Sequence, residues 1–180
     1  TKPTIQSDIA YHIGAMDWQP NIEAMKWMRD EIVPEILKKV ASFQFQFAGR
    51  KMPEYFINEA SPAFKCVGEI NDAQNFISDK GILIVPLRSG SGIRIKTLEA
   101  ISMGKIVIST SIGIQGIEAH NKVHFLLANN ATEFAEAIYW CSQHKDAVAS
   151  ISANAQALVN NHYNQSLLTQ RLLEFVNKLS

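Results

Sequence analysis

Ile82-Leu83-Ile84-Val85 is a short, unbroken apolar run, and it constrains the fold of this chain more than any other segment. A strand that is apolar at every position has both faces buried, the condition inside a parallel sheet covered by helices. Pro86-Leu87-Arg88-Ser89-Gly90-Ser91-Gly92 follows, then a helix-spaced stretch over 94–103 that stops at Gly104. A strand, a Ser/Gly-rich turn and a helix N-terminus make a ready anion site, because free backbone N–H groups converge there and the dipole favours negative charge. Gly90 and Gly92 carry no side chain, so a diphosphate could approach the backbone closely.

The rest of the chain repeats this alternation. Strands are predicted over 9–13, 43–48 and 64–67, ending at Gly14, Gly49 and Gly68, with further ones over 106–108 and 123–127. Between them, 21–40 is helix-spaced with Ile32, Ile36 and Val40 on one face, and Pro34 is expected to break it in two. A short helix is expected over 54–59, and Asp72 can cap another running to Ser78. Asn130 and Glu133 form a capping pair ahead of a helix carrying Phe134, Ile138 and Cys141; two more helical stretches cover 147–160 and 165–179. Strands alternating with helices predict an α/β fold: a Rossmann-like parallel sheet covered by helices on both faces. Ligands of such sheets lie beyond the carboxyl ends of the strands, so Gly14, Gly49, Gly68 and the Ser/Gly loop are expected on one rim.

The 180 residues suit one domain rather than two. Seventeen basic residues balance seventeen acidic ones, whereas a general nucleic-acid binder usually carries a basic excess, so phosphate recognition is expected to be local. Cys66 and Cys141 have neither metal spacing nor a paired framework, which suits structural thiols in a reducing cytoplasm. No apolar run approaches the length of a membrane span, and Thr1-Lys2-Pro3-Thr4 does not begin a signal peptide. With no initiating Met, an excised piece of a longer protein is expected.

At the loop, the dipole is worth about 0.3–1 kcal/mol towards an anion, and about 2 when partly buried. A charge-assisted bond from Arg is worth about 1.5–3 kcal/mol, so Arg88 and Arg94 could outweigh the dipole if they face a ligand. A plain strand-to-helix turn with solvated arginines accounts for the same residues equally well. Lys96 and Glu99 are neighbours on one helix face. Glu99 could accept two hydroxyls of a ribose, or the two could form a surface pair worth a few tenths of a kcal/mol. Arg50 and Lys51 follow Gly49 at the rim, where a solvated turn is the commoner explanation. Trp18 is the one tryptophan placed near the rim; the five histidines lack ligand spacing, and no metal site is expected. GxGxxG, a phosphate-binding GxxxxGK[ST] loop and an Asp-x-Asp pair are all missing.

Residues 86–107, with Gly90-Ser91-Gly92-Ile93 and Leu98-Glu99-Ala100 up to Gly104 and Val107, resemble the donor-site segment of retaining two-domain GT-B glycosyltransferases of the group 1 type. The pattern in that family runs Pro-Ser-x-x-Glu-Gly-x-Gly-x-x-x-Leu-Glu-Ala-x-x-x-Gly-x-Pro-Val. Ile13-Gly14 with Asp17 and Pro20-Asn21, Phe47-Ala48-Gly49-Arg50 and Val67-Gly68-Glu69 resemble successive strand ends of the same family, and the likeness runs from about Ile9 to Leu179. It implies a domain that binds a nucleoside-diphosphate sugar as donor substrate, without cofactor or metal. Glu99 would grip the ribose, and the amides of Ser91, Gly92 and Ile93 would meet the diphosphate and sugar. The turn at Gly49–Arg50 and the strand end at Gly68 would lie near the base. Reaction would occur with retention, assisted by the leaving phosphate oxygen, against an N-terminal acceptor-binding half through which peripheral membrane contact would arise. Residues 1–8 would be the interdomain linker, and 164–180 a helix packing towards that half. Three departures stand out. The first glutamate of the pattern falls on Ser91 or Gly90, its early Arg and Lys fall on Ala15 and Asn21, and the acceptor half is missing. Phosphate neutralisation is then expected from Arg88, Arg94 or Lys96, with Gly14 beside them. A non-catalytic nucleotide-binding or interaction module is the alternative, and a sugar-nucleotide epimerase a third.

Overall fold

The computed structural model describes residues 9–163; the expected linker over 1–8 and the expected helix over 164–180 lie outside them. Six parallel strands form one sheet in the order β3-β2-β1-β4-β5-β6. They are β1 Ile9–Ile13, β2 Gln44–Ala48, β3 Phe64–Gly68, β4 Ile82–Val85, β5 Ile106–Ser109 and β6 Leu126–Leu127. The helices are α1 Gln19–Trp27, α2 Val33–Leu37, α3 Glu54–Asn58, α4 Ala73–Ser78, α5 Ile95–Ser102, α6 Ala131–Gln143 and α7 Lys145–His162. The chain runs outward from β1 to β3, back across the sheet to β4, and outward again to β6. The strand order therefore reverses between β1 and β4, and that is where such sheets open a crevice.

Each β4 residue is buried, as an apolar run inside a two-sided sheet requires. β2 turns Phe45 and Phe47 onto Phe64 and Phe56, with ring centroids 4.8–5.9 Å apart, so the alternating Phe-Gln pattern forms an aromatic core layer. α2 packs on α6 and α5 on α7, which covers both faces. Asp72 Oδ1 accepts from Asn75 N at 3.0 Å, and Asn130 Oδ1 from Glu133 N at 2.9 Å, so both expected caps form.

Two expectations are corrected. Pro34 does not break its helix, because a π-turn over Met28–Ile32 joins α1 to α2, with Val33 N–H reaching back to Met28 O. The wider turn relieves the clash between a proline ring and the carbonyl four residues earlier. The final strand is confined to Leu126–Leu127, because the chain turns at Lys122 (φ 62°) and Asn121 bonds Leu127 N through its side chain.

Candidate active site: a cavity at the strand switch point

Glycine backbones join the carboxyl ends of β1, β2 and β3. Gly14 N donates to Ala48 O at 3.1 Å, and Gly49 N to Gly68 O at 2.9 Å. A Cβ on Gly49 would sit 1.7 Å from Gly14 O, so only glycine permits this approach. Lys51 pairs with Asp17 at 3.1 Å across the same turn, and its hydrogen bond holds the Asp17 carboxyl below the usual carboxylate range.

Between the ends of β1 and β4 lies a cavity of about 300 Å³, walled by His12, Gly14, Trp18, Asn21, Val85, the loop residues Ile93 and Arg94, and the start of α5 from Ile95 to Thr97. α5 has no side-chain cap at Arg94, and the first paired amide is Thr97 N, bonded to Arg94 O at 2.8 Å. The N–H groups of Ile95 and Lys96 therefore have no intrahelical partner, and the positive end of α5 stands at the wall.

Of the residues singled out in the sequence, the cavity brings together Gly14, Ile93, Arg94 and Lys96. Gly90 (φ +103°) and Gly92 (φ +88°) form the adjoining loop with Ser91; only glycine takes that backbone without strain. Arg94 folds onto this loop, its Nη1 donating to Ser91 O at 2.5 Å and Gly92 O at 2.6 Å. Burial weakens the hold of its guanidinium on the proton. Arg88 does not wall the cavity and lies 5.1 Å from the Trp27 ring centroid. Lys96 Nζ meets Glu99 at 2.7 Å, and Glu99 lies outside the cavity wall, on α5 just beyond Thr97. Burial and then the charge of Glu99 raise the pKa of the Tyr11 phenol, whose buried hydroxyl has no partner. Arg50 and Gly68 sit on the same rim but outside the cavity; Arg50 O accepts from Met16 N at 2.9 Å.

Among the wall residues outside the sequence-predicted set are His12, Trp18, Asn21 and Thr97, which carry polar or aromatic side chains. His12 Nδ1 is 2.9 Å from Ile84 O; a carbonyl only accepts, so the proton sits on Nδ1 and the lone pair on Nε2. Burial lowers the pKa of the ring, opposed by the hydrogen bond to the Ile84 carbonyl, and Nε2 meets no hydrogen-bond partner. Asn21 Nδ2 donates to Ala15 O at 2.9 Å and fixes the turn after β1. Its placement at the first turn of α1 was the signal available in the sequence.

A larger hollow of about 720 Å³ between β6, α6 and α7 contains none of the candidate ligand-binding residues. Among the described residues no group of three His, Cys, Asp or Glu side chains could hold a metal ion, and no helix is long and apolar enough to cross a membrane.

The family model for glycosyl transferases group 1 matches residues 7–144. The chain belongs to that family. An uncharacterized 44.6 kDa protein in the cps region of Klebsiella pneumoniae is 24% identical over 165 residues, 84% of this chain and 41% of the relative. The group 1 chain also superposes on Anabaena HepE, solved with UDP-glucose, with a TM-score of 0.78 and 14% identity, covering 95–96% of this chain and 49% of HepE. The C-terminal domain of LpcC, a group 1 family protein of Francisella tularensis, gives a TM-score of 0.69 at 16% identity, covering 89% of both chains. This chain thus spans less than half of the full-length proteins it matches and nearly all of an isolated C-terminal domain.

Proposed function

We propose that this chain is the donor-binding half of a retaining, metal-independent glycosyltransferase, which moves a sugar from a nucleoside-diphosphate sugar to an acceptor. The observation that carries this reading is the cavity between the ends of β1 and β4, faced by the uncapped N-terminus of α5. Converging amides and a helix dipole suit a diphosphate, and closely approaching glycines leave room for it. HepE, with UDP-glucose in its crystal, supports the ligand class.

In this reading the diphosphate lies against Gly14, the Ser91–Ile93 amides and Arg94. Glu99 turns from Lys96 to accept two ribose hydroxyls, and Gly49–Arg50 and Gly68 border the base. Arg88 belongs to the outer part of the same loop. The acceptor half lies elsewhere in a longer protein, and the leaving phosphate oxygen takes the acceptor proton. The free thiols Cys66 and Cys141 suit a cytoplasmic setting. Calorimetric titration with the UDP, GDP, ADP and dTDP sugars tests this: saturable binding of one supports it, and silence from all rejects it. Ser91 at the place of the family acid favours a non-catalytic nucleotide-binding module as the second reading. Binding without transfer or donor hydrolysis in the longer protein would select it.

A further inference from the structure

Three cations follow β4, and the structure holds them differently. Arg88 lies over Trp27, and Lys96 pairs with Glu99. Arg94 is internally bonded on one side only. Its Nη1 bridges the carbonyls of Ser91 and Gly92, and its plane lies 5.0 Å from the centroid of Trp18. Nε and Nη2 are shielded from solvent and have no acceptor. Those two nitrogens form the side of a guanidinium that matches two oxygens of one phosphate.

Gly90 lets this assembly close. A Cβ there would lie 2.7 Å from Trp18 Cζ2 and 3.2 Å from Arg94 Nη2. The clamp has a second consequence. In a trans peptide the C=O and the following N–H point in opposite directions. Drawing the Ser91 and Gly92 carbonyls onto Nη1 therefore turns the Gly92 and Ile93 amides away from the guanidinium. Neither amide has a partner among the described residues. With Ala15 and Asn21 bringing no charge to the turn after β1, Arg94 and Lys96 are the cations of the cavity wall, and of the two Arg94 keeps nitrogens without an acceptor while Lys96 is paired with Glu99.

We infer that Arg94 works on two edges, resting on the donor-site reading above: Nη1 sets the loop so that two successive amides are presented, and the Nε–Nη2 edge takes two oxygens of the donor diphosphate, with Trp18 holding the plane. A lysine keeps the charge but cannot form both edges. Arg94→Lys is titrated calorimetrically with whichever of UDP, GDP or ADP binds the unaltered chain, and with the matching nucleoside. The expected result is a loss of tenfold or more for the diphosphate and under twofold for the nucleoside. Unchanged diphosphate affinity overturns the inference, as do equal losses for both ligands. Independently of any variant, the Arg94 Nε–H resonance of the unaltered chain should move and exchange more slowly on adding the diphosphate. A resonance that stays put also overturns the inference. If none of the diphosphates binds, the donor-site reading falls and this inference with it; binding that Arg94→Lys retains removes the inference alone.

Discussion

The two ends of the sheet both hold buried or half-buried cations and use them in opposite ways. At the amino end, Lys80 precedes β4 and Lys105 precedes β5, and both are buried. Lys80 Nζ donates to the Phe76 carbonyl and to Asp79 at 2.7 Å, while Lys105 Nζ donates to Ser78 O at 3.0 Å. These lysines tie the end of α4 to the bottom of the sheet and need nothing from outside. At the carboxyl end, the clamp of Arg94 leaves Nε and Nη2 without acceptors beside a cavity. Unpaired buried donors are costly, and the carboxyl end keeps two of them on Arg94, whereas the amino-end lysines find acceptors within the fold. Burial of a cation is common to both ends; the unfilled donors distinguish them.

The largest way to break this contrast is to remove the backbone contact that builds the carboxyl end. Gly49→Ala places a Cβ 1.7 Å from Gly14 O, and a loss of about 3 kcal/mol or more in urea unfolding is expected. A wild-type midpoint would mean the strand ends yield easily. Lys80→Met strips the amino end of a donor and should cost about 1–3 kcal/mol. Its diphosphate affinity should match that of the unaltered chain; a lost affinity would mean the two ends are not separate.

Acid offers a graded test. His12 has its pKa lowered below the ordinary 6.5 by burial, so below 6.5 the unfolded chain binds more protons than the folded one. The associated stability is complete above 6.5 and falls with pH towards the folded pKa, by at most about 1.4 kcal/mol per unit. His124, lowered first by burial and then by His120, adds a term of the same sign. His12→Gln should flatten the slope of unfolding free energy between pH 7 and 5, as ordinary test conditions, by roughly the contribution of one group. An unchanged slope would place the acid sensitivity elsewhere. Asn130→Ala should have the smallest effect, about 1 kcal/mol from the cap of α6 and no change in ligand affinity, read by thermal unfolding.

The architecture was legible in the sequence because its signals are local. The apolar run at Ile82–Val85, the glycines closing β1 and β3, and the Asp72 and Asn130 caps each state a requirement that few neighbours can override. The site was legible in part. Gly14, Ile93, Arg94 and Lys96 could be named from the turn and the helix start, since backbone amides and loop glycines follow from strand-loop-helix order. Which cation keeps unpaired nitrogens was not. Arg88, Arg94 and Lys96 look alike in sequence, and Trp27, Trp18 and Glu99 decide between them through side-chain contacts. Trp18 and Trp27 lie over 60 residues away from their arginines along the chain. His12 was hidden because a buried strand position tells nothing of which ring nitrogen is left bare. Pro34 misled because its local rule assumes an α-helical register, and the chain adopts a π-turn there.

Backbone amide shifts measured during titration with a nucleoside diphosphate decide whether the carboxyl-end cavity is the diphosphate site. The expected result is a cluster of perturbed amides at Gly14, Gly92, Ile93, Arg94 and Thr97, with Lys80 and Lys105 unmoved. Perturbations confined to the hollow between α6 and α7, or centred on the amino-end lysines, would contradict it.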